Sequence, residues 1–97
     1  YFVAILLRNC AGLAALRGEW AQALRFGGAA TAFEERHNFF DFVDERFRVR
    51  SMSAAREAVG ADQADAAFAA GESLGSDTAI REAEAWLASL PADGRMP

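Results

Sequence analysis

The residues most able to perform chemistry are a single histidine, His37, and a single cysteine, Cys10. Zinc sites need several histidine, cysteine or acidic ligands at short spacings, and the sequence contains no such cluster. A cysteine nucleophile needs a base beside it, and we expect His37 to lie on a different helix from Cys10. Because Cys10 falls on an apolar helix face, we interpret it as a buried small hydrophobic residue. The sequence therefore predicts neither a catalytic dyad nor a metal site.

Paired acidic residues can act as general acid and base when they face each other across a cleft. The pairs in this chain are Glu34/Glu35, Asp44/Glu45 and Glu82/Glu84. We interpret them as solvated helix faces, since Asp44 and Arg48 have the i, i+4 spacing of a surface ion pair. Gly27 and Gly28 are predicted to lie inside a helix with no lysine after them, so they do not form a phosphate loop. We therefore predict a protein with no enzymatic activity and no cofactor.

The formal net charge is −4, and all ten basic residues are arginine. Their one concentration, at positions 46–56, spreads over more than one helix face among acidic neighbours. This pattern argues against contact with nucleic acid or an anionic membrane. The apolar run 1–7 is far shorter than the roughly 20 residues of a spanning helix, and we expect it to be the middle of a helix in a longer chain. A lone cysteine is typical of a cytoplasmic protein.

Alanine is the most frequent residue, and both prolines lie near the C-terminal end, which favours an all-α fold. Glycines and one asparagine separate the periodic segments, with predicted turns at Gly18, Asn38, Gly60 and Gly75. The predicted helices cover about 2–17, 19–37, 41–59, 62–74 and 76–90. Together they form a single helical domain, 1–90, followed by a disordered tail, 91–97. Such short connections require neighbouring helices to pack antiparallel.

The first helix carries apolar residues on two faces, which is typical of an internal helix in a stacked array. One face contains Phe2, Ile5, Leu6, Leu13 and Leu16, and the other contains Val3, Leu7, Cys10 and Ala14. The fifth helix is amphipathic and is expected to form an end of the array. Its apolar stripe consists of Ile80, Ala83, Leu87 and Leu90, with Trp86 beside it.

The turn after the first helix has the residue pattern of a tetratricopeptide repeat, namely Gly18, Trp20, Ala23, Gly27 and Ala30. Glycine permits a tight turn between antiparallel helices, and the tryptophan fills the gap at that turn. The small residues form a stripe that lets the two helices approach closely. Since a large apolar residue is usual at the position of Gly27, we expect loose packing there.

The segment Arg25-Phe26-Gly27-Gly28-Ala29-Ala30-Thr31-Ala32-Phe33-Glu34-Glu35 resembles the last repeat of large bacterial signalling regulators. Those proteins carry a STAND-type ATPase core, with a LuxR-type, winged-helix or adenylyl-cyclase domain elsewhere. The resemblance continues through Ala54-Ala55-Arg56, Gly60, Phe68-Ala69-Ala70-Gly71, Leu74 and Ala79-Ile80, and covers about 12–83. It implies an all-α fold in which antiparallel helix pairs form a tetratricopeptide-like right-handed superhelix.

Two apolar segments are candidate interfaces. In the first, the candidate residues are Phe2, Val3, Leu6 and Leu7; in the second, they are Phe39, Phe40 and Phe42. Phe39 shares a helical stripe with Val43 and Phe47, which favours a core role, whereas Phe40 and Phe42 cannot both belong to that stripe. Because the helices that would cover the second face of the first helix are expected to precede this sequence, we expect residues 1–16 to form the centre of a homodimer interface.

The residue patterns predict a non-catalytic repeat module, and the resemblance implies that it belongs to a cytoplasmic bacterial transcriptional or signalling regulator. Its expected partners are a protein or peptide, the rest of the parent chain and a second copy. A stand-alone oligomerisation domain is the first alternative. A small helical ligand-binding or enzyme domain is the second, and it would require a polar cluster inside an apolar pocket.

Overall fold

A computed structural model describes residues 2–36 and 45–90, and every regular element in those ranges is an α-helix. The helices are α1 (Phe2–Leu16), α2 (Trp20–Arg36), α3 (Glu45–Val59), α4 (Ala61–Glu72) and α5 (Ser76–Ala88). The prediction of five helices in an all-α fold is therefore confirmed for the described residues. Turns at Gly18, Gly60 and Gly75 separate the helices as predicted. The predicted turn at Asn38 and the predicted tail 91–97 lie outside the described residues.

The turn between α1 and α2 depends on the left-handed backbone of Gly18, whose φ is +77°. The amide of Gly18 donates to the carbonyl of Ala15 at 3.0 Å, and the amide of Glu19 donates to that of Ala14 at 2.9 Å. These two bonds form a Schellman motif, which satisfies the last carbonyls of α1. A side chain in this backbone conformation costs about 1–2 kcal/mol, so glycine is favoured at the turn.

α2 is the central helix, because it packs against α1, α3, α4 and α5. Two apolar cores lie against it. The first core joins α2 to α1 and α5 and contains Leu7, Cys10, Phe26 and Trp86. The second core joins α2 to α3 and α4 through Leu24, Ala55 and Ala64. Complete burial of a side chain the size of Phe26 or Leu7 contributes about 1.5–3 kcal/mol, so most of the stability depends on contacts with α2.

The α2 and α4 backbones meet at a pair of glycines, Gly28 and Gly71. A Cβ atom added to Gly28 would overlap the carbonyl group of Phe68 and lie 3.1 Å from the amide nitrogen of Glu72. A Cβ added to Gly71 would overlap the carbonyl group of Arg25. Since each glycine lies against the main chain of the other helix, the two axes approach more closely than any side chain would permit.

The small-residue stripe predicted on α2 serves two interfaces instead of one. Ala23 and Ala30 are fully buried in the first core, which includes α1. Gly27 instead faces α3, where a Cβ would lie 2.7 Å from the sulfur of Met52. The expectation of loose packing at Gly27 is therefore wrong, because Met52 fills the space that a larger residue would have taken.

α5 packs against both α1 and α2, and α1 also contacts α3. Ala79, Ala83 and Trp86 are the buried residues of α5, and all of them belong to the first core. Leu7 of α1 is only 1% exposed in that core. The prediction that Leu7 contributes to an external interface is therefore wrong, since helices of its own chain already bury it.

Candidate functional site

Charged side chains of the described residues connect helices to one another. Arg8 of α1 donates from Nε to Oε2 of Glu34 on α2 at 3.0 Å, and its Nη2 donates to the other oxygen of that carboxylate. The same Nη2 lies 3.5 Å from the hydroxyl of Thr31. Glu34 is buried, so this bidentate pair stabilises α1 against α2 in a site with little access to water.

The interpretation of the acidic pairs as solvated faces is wrong for Glu34, which is buried against α1. Glu82 is partly exposed and is bound to an arginine of α2. The other members of these two pairs, Glu35 and Glu84, are exposed, as expected. The side chains of Asp44 and Glu45 lie outside the described ones. In the two described pairs, the helix phase turns one carboxylate towards another helix. Sequence spacing reveals that phase but not the presence of an arginine on the facing helix.

A second bidentate ion pair connects α2 to α5. Arg25 of α2 donates from Nε and Nη2 to the two carboxylate oxygens of Glu82, each bond being 2.7 Å long. The hydrogen bonds from Arg25 hold the pKa of the Glu82 carboxyl below its usual value, and Glu82 in turn raises the pKa of Arg25. Both side chains are about one-third exposed, at 33% and 31%. Water therefore competes for the hydrogen bonds of this pair. The pair contributes more to the specificity with which α5 packs on α2 than to the free energy of that packing.

Trp86 is the main apolar anchor of α5. Its ring packs edge-on against Phe26 of α2, with centroids 5.5 Å apart and planes at 66°. Its indole N–H donates to Oε1 of Glu19 at 2.9 Å, and Arg17 donates to Oε2 of the same carboxylate at 2.8 Å. The hydrogen bond from Trp86, followed by that from Arg17, lowers the pKa of Glu19. The carboxylate of Glu19, in the α1–α2 turn, thus fixes the orientation of the Trp86 ring.

We use the name α5 groove for the surface of α1, α2 and their turn that α5 covers. Its recognition groups are Glu19, Arg25 and Phe26. At the opposite end of α5, Arg36 of α2 lies 3.5 Å from the hydroxyl of Ser76. Contacts therefore extend from the first residue of α5 to Trp86 near its end, and they place α5 antiparallel to α2. No local sequence pattern predicts the Arg25–Glu82 pair, because its members are 57 positions apart.

A second surface lies where the C-terminal end of α5 meets the α1–α2 turn. Leu16 at the end of α1 is 70% exposed, and Leu87 on α5 is 38% exposed. The hydrogen bond between Glu19 and Trp86 brings these two segments together. We call this surface the Leu16–Leu87 end. Another exposed large apolar residue, Val49, lies on α3.

The remaining predicted interface residues are placed as follows. Val3 and Leu6 are partly buried and pack against the first core. Trp20 is also partly buried and contacts both cores, as its predicted place at the turn suggests. Nothing is described for the side chain of Phe2, and Phe39, Phe40 and Phe42 lie outside the described residues.

Cys10 is buried in the first core, and burial raises the pKa of its thiol, which disfavours the reactive thiolate. Over 2–36 and 45–90, no group of three or more histidine, cysteine or acidic side chains is arranged to hold a metal ion. His37 lies outside these ranges. None of the described helices has the length and apolar character needed to cross a membrane.

Comparisons with protein-family models, with curated proteins and with solved structures gave no significant match to this chain.

Proposed function

We propose that this chain is a non-catalytic helical repeat module that binds a protein or peptide. The observation that carries the proposal is the stacking of two consecutive helical hairpins. The hairpins are α1–α2 and α3–α4, and they pack together mainly where α2 crosses α4 at Gly28 and Gly71. In helical repeat arrays, each repeat stacks against its neighbours in sequence.

A tetratricopeptide-like arrangement is the finer form of this proposal. The turn at Gly18, the partly buried Trp20 and the buried small residues Ala23 and Ala30 support it for the first hairpin. α5 follows a different course, because it returns to α1 and α2 and covers the side of the first hairpin that faces away from the second core. In this proposal α5 acts as the closing helix of the stack.

The resemblance to STAND-type regulators suggests where such a module operates. We place it in a cytoplasmic bacterial transcriptional or signalling regulator, where binding of a protein or effector shifts the balance between inactive and active states. Ion pairs connect the helices of the module to one another. Arg8–Glu34 connects α1 to α2, Arg25–Glu82 connects α2 to α5, and Arg56–Asp65 connects α3 to α4.

The Leu16–Leu87 end is the surface where we expect partner binding, since it exposes two leucines next to a tryptophan anchor. The test is capture of bacterial proteins with the chain and with the double variant Leu16→Glu/Leu87→Glu. The matched control is Ala54→Glu/Ala58→Glu, which adds the same charges at exposed positions of α3. A partner lost by the first variant and retained by the control supports the proposal. Identical sets of captured proteins for all three chains would count against it.

A stand-alone oligomerisation domain is a second candidate, and the high exposure of Leu16 favours it. Leu16 belongs to the segment 1–16 in which the sequence predicts a homodimer interface. Light scattering coupled to size-exclusion chromatography separates the two roles. A dimer that becomes monomeric on Leu16→Glu would support oligomerisation, whereas a wild-type monomer at all accessible concentrations would exclude it.

A further inference from the structure

α5 is attached to the rest of the molecule by few groups. Its buried side chains are two alanines and Trp86, whereas α2 buries residues on most of its surface. Only residues 73–75 connect it to α4. A helix held in this way can leave its site without unfolding the contacts between α2 and α4.

The groups that hold α5 are those that recognise an amphipathic helix in a groove. Ala79, Ala83 and Trp86 have i, i+4 and i+7 spacing, so they share one face. Glu82 lies beside that face and meets the guanidinium of Arg25 in a bidentate pair. Phe26 receives the edge of the indole ring, and the Glu19 carboxylate accepts its N–H. Each interaction requires a particular side chain at a particular helical position.

We infer that the α5 groove is the module's binding site for a partner helix, and that α5 is an internal competitor for it. This inference rests on the proposed interaction role. Charge complementarity requires that the occupant carry a carboxylate that reaches Arg25. The occupant is therefore an amphipathic helix with two small residues, this carboxylate and a tryptophan four positions after it. The same face is present in α5, where Glu82 and Trp86 have this spacing. While α5 is docked, the groove is closed.

Competition follows from the connection between α5 and the groove. A tethered helix has an effective concentration on the order of millimolar, so a free helix of equal intrinsic affinity binds poorly to the intact chain. Weakening the docked state of α5, without altering the groove, raises the fraction of open chains. The apparent affinity for a free helix then rises in proportion to that fraction.

The experiment uses the full chain and a fluorescein-labelled peptide of residues 76–90 as the probe. In the chain variant Glu82→Arg, the new arginine faces Arg25 and weakens the docking of α5, while the groove keeps all its recognition groups. Fluorescence anisotropy should show the peptide binding this variant tighter than wild type by on the order of tenfold or more. A peptide that itself carries Glu82→Arg should bind the variant chain without this increase in affinity.

The matched control is the double variant Arg25→Glu/Glu82→Arg, which restores an opposite-charge pair with reversed orientation. It should bind the unmodified peptide no better than wild type does. Equal peptide affinity for the Glu82→Arg chain and the double variant would overturn the inference, and so would undetectable binding to both.

A measurement on the wild-type chain covers the case in which Glu82→Arg does not fold. Saturating peptide should speed amide hydrogen exchange across residues 76–88 and leave exchange in α4 unchanged. Unchanged exchange in α5 with peptide present would overturn the inference. Failure of both peptide experiments would leave the interaction role standing if the Leu16–Leu87 end still captures its own partner.

Discussion

α2 packs against α4 and against α5 in two different ways. Towards α4 it presents glycine, and the two main chains touch at Gly28 and Gly71. Towards α5 it presents Arg25 and Phe26, whose side chains meet a carboxylate and an indole ring. Packing of main chain against main chain permits one distance between the helix axes and depends little on solution conditions. Packing through side chains permits adjustment of that distance and depends on the charges of the side chains. The α2–α4 interface is therefore fixed, whereas the α2–α5 interface depends on charge.

Arg25 takes part in both interfaces. Its carbonyl lies where a Cβ on Gly71 would be placed, and its guanidinium binds Glu82 of α5. The two interfaces therefore use different atoms of one residue, namely its main chain towards α4 and its side chain towards α5. Four sets of substitutions test the packing of α2 against its neighbours, in order of expected effect.

The largest effect is expected for Trp86→Ala, which removes the anchor of α5 and leaves a cavity beside Phe26. Truncation of a buried aromatic residue typically costs about 3–5 kcal/mol, measurable by urea unfolding. Hydrogen exchange should increase first in α5, while α4 keeps its protection. Leu87→Ala, at the exposed neighbouring position, is the control and should change stability much less. Equal loss of protection in α4 and α5 would show that the two interfaces are one cooperative unit.

Gly28→Ala and Gly71→Ala break the backbone interface. Each methyl group would overlap a main-chain carbonyl, and overpacking of this kind costs about 1–3 kcal/mol even though alanine favours a helix. Gly75→Ala is the matched control, because a Cβ there meets nothing within 4 Å and its φ is −75°. Thermal unfolding monitored by circular dichroism compares the three. A Gly28→Ala protein as stable as Gly75→Ala would mean that α2 and α4 are farther apart than described.

Glu34→Ala extends the comparison to α1, which α2 holds through a buried ion pair. Loss of the carboxylate leaves Arg8 largely buried without its partner, and we expect a cost of about 1–3 kcal/mol. Removal of a carboxylate on a solvated helix face would instead cost under about 0.5 kcal/mol. Glu35→Ala removes the exposed neighbour and should stay within that smaller range. Equal free energies of unfolding for the two variants would restore the original interpretation.

The smallest effect is that of pH on the α5 interface. The folded state lowers the pKa of both Glu19 and Glu82 from an ordinary value of 4.5. Their contribution is therefore complete above that ordinary value and is lost as the pH falls through the folded-state values. Glu82→Gln should cost less than about 1 kcal/mol near neutral pH, since the pair is partly exposed. Glu19→Gln/Glu82→Gln should flatten the acid limb of stability against pH, whereas Gly28→Ala should leave its slope unchanged.

The helices and three of their turns could be predicted because the relevant signals are local. Alanine content and absence of proline favour helix, and glycine at Gly18 or Gly60 marks a backbone with positive φ. The phase of α2 also placed Ala23 and Ala30 on a buried face. What phase cannot reveal is which helix lies over each face. For that reason the sequence pattern predicted a small-residue stripe through Gly27, whereas the glycine that packs against α4 is Gly28.

Long-range partners were beyond prediction for the same reason. Glu34 could not be distinguished from Glu35 without knowing that Arg8 faces it across the α1–α2 interface. The short connection after α4 predicted that α5 packs antiparallel to α4, yet α5 packs against α1 and α2 instead. That packing buries Leu7, which the apolar run at the start of the chain suggested was available to a partner.

The return of α5 also sets an order of assembly during synthesis. The Arg8–Glu34 pair joins residues 26 positions apart, whereas the Trp86–Glu19 bond joins residues 67 positions apart. Contacts distant in sequence form late, because more chain entropy must be lost before they are made. On the ribosome, α1 to α4 can assemble while α5 is still inside the exit tunnel. Until α5 emerges, the newly made chain displays the apolar side of its first hairpin, and a chaperone or a partner helix that arrives in that interval meets no competitor.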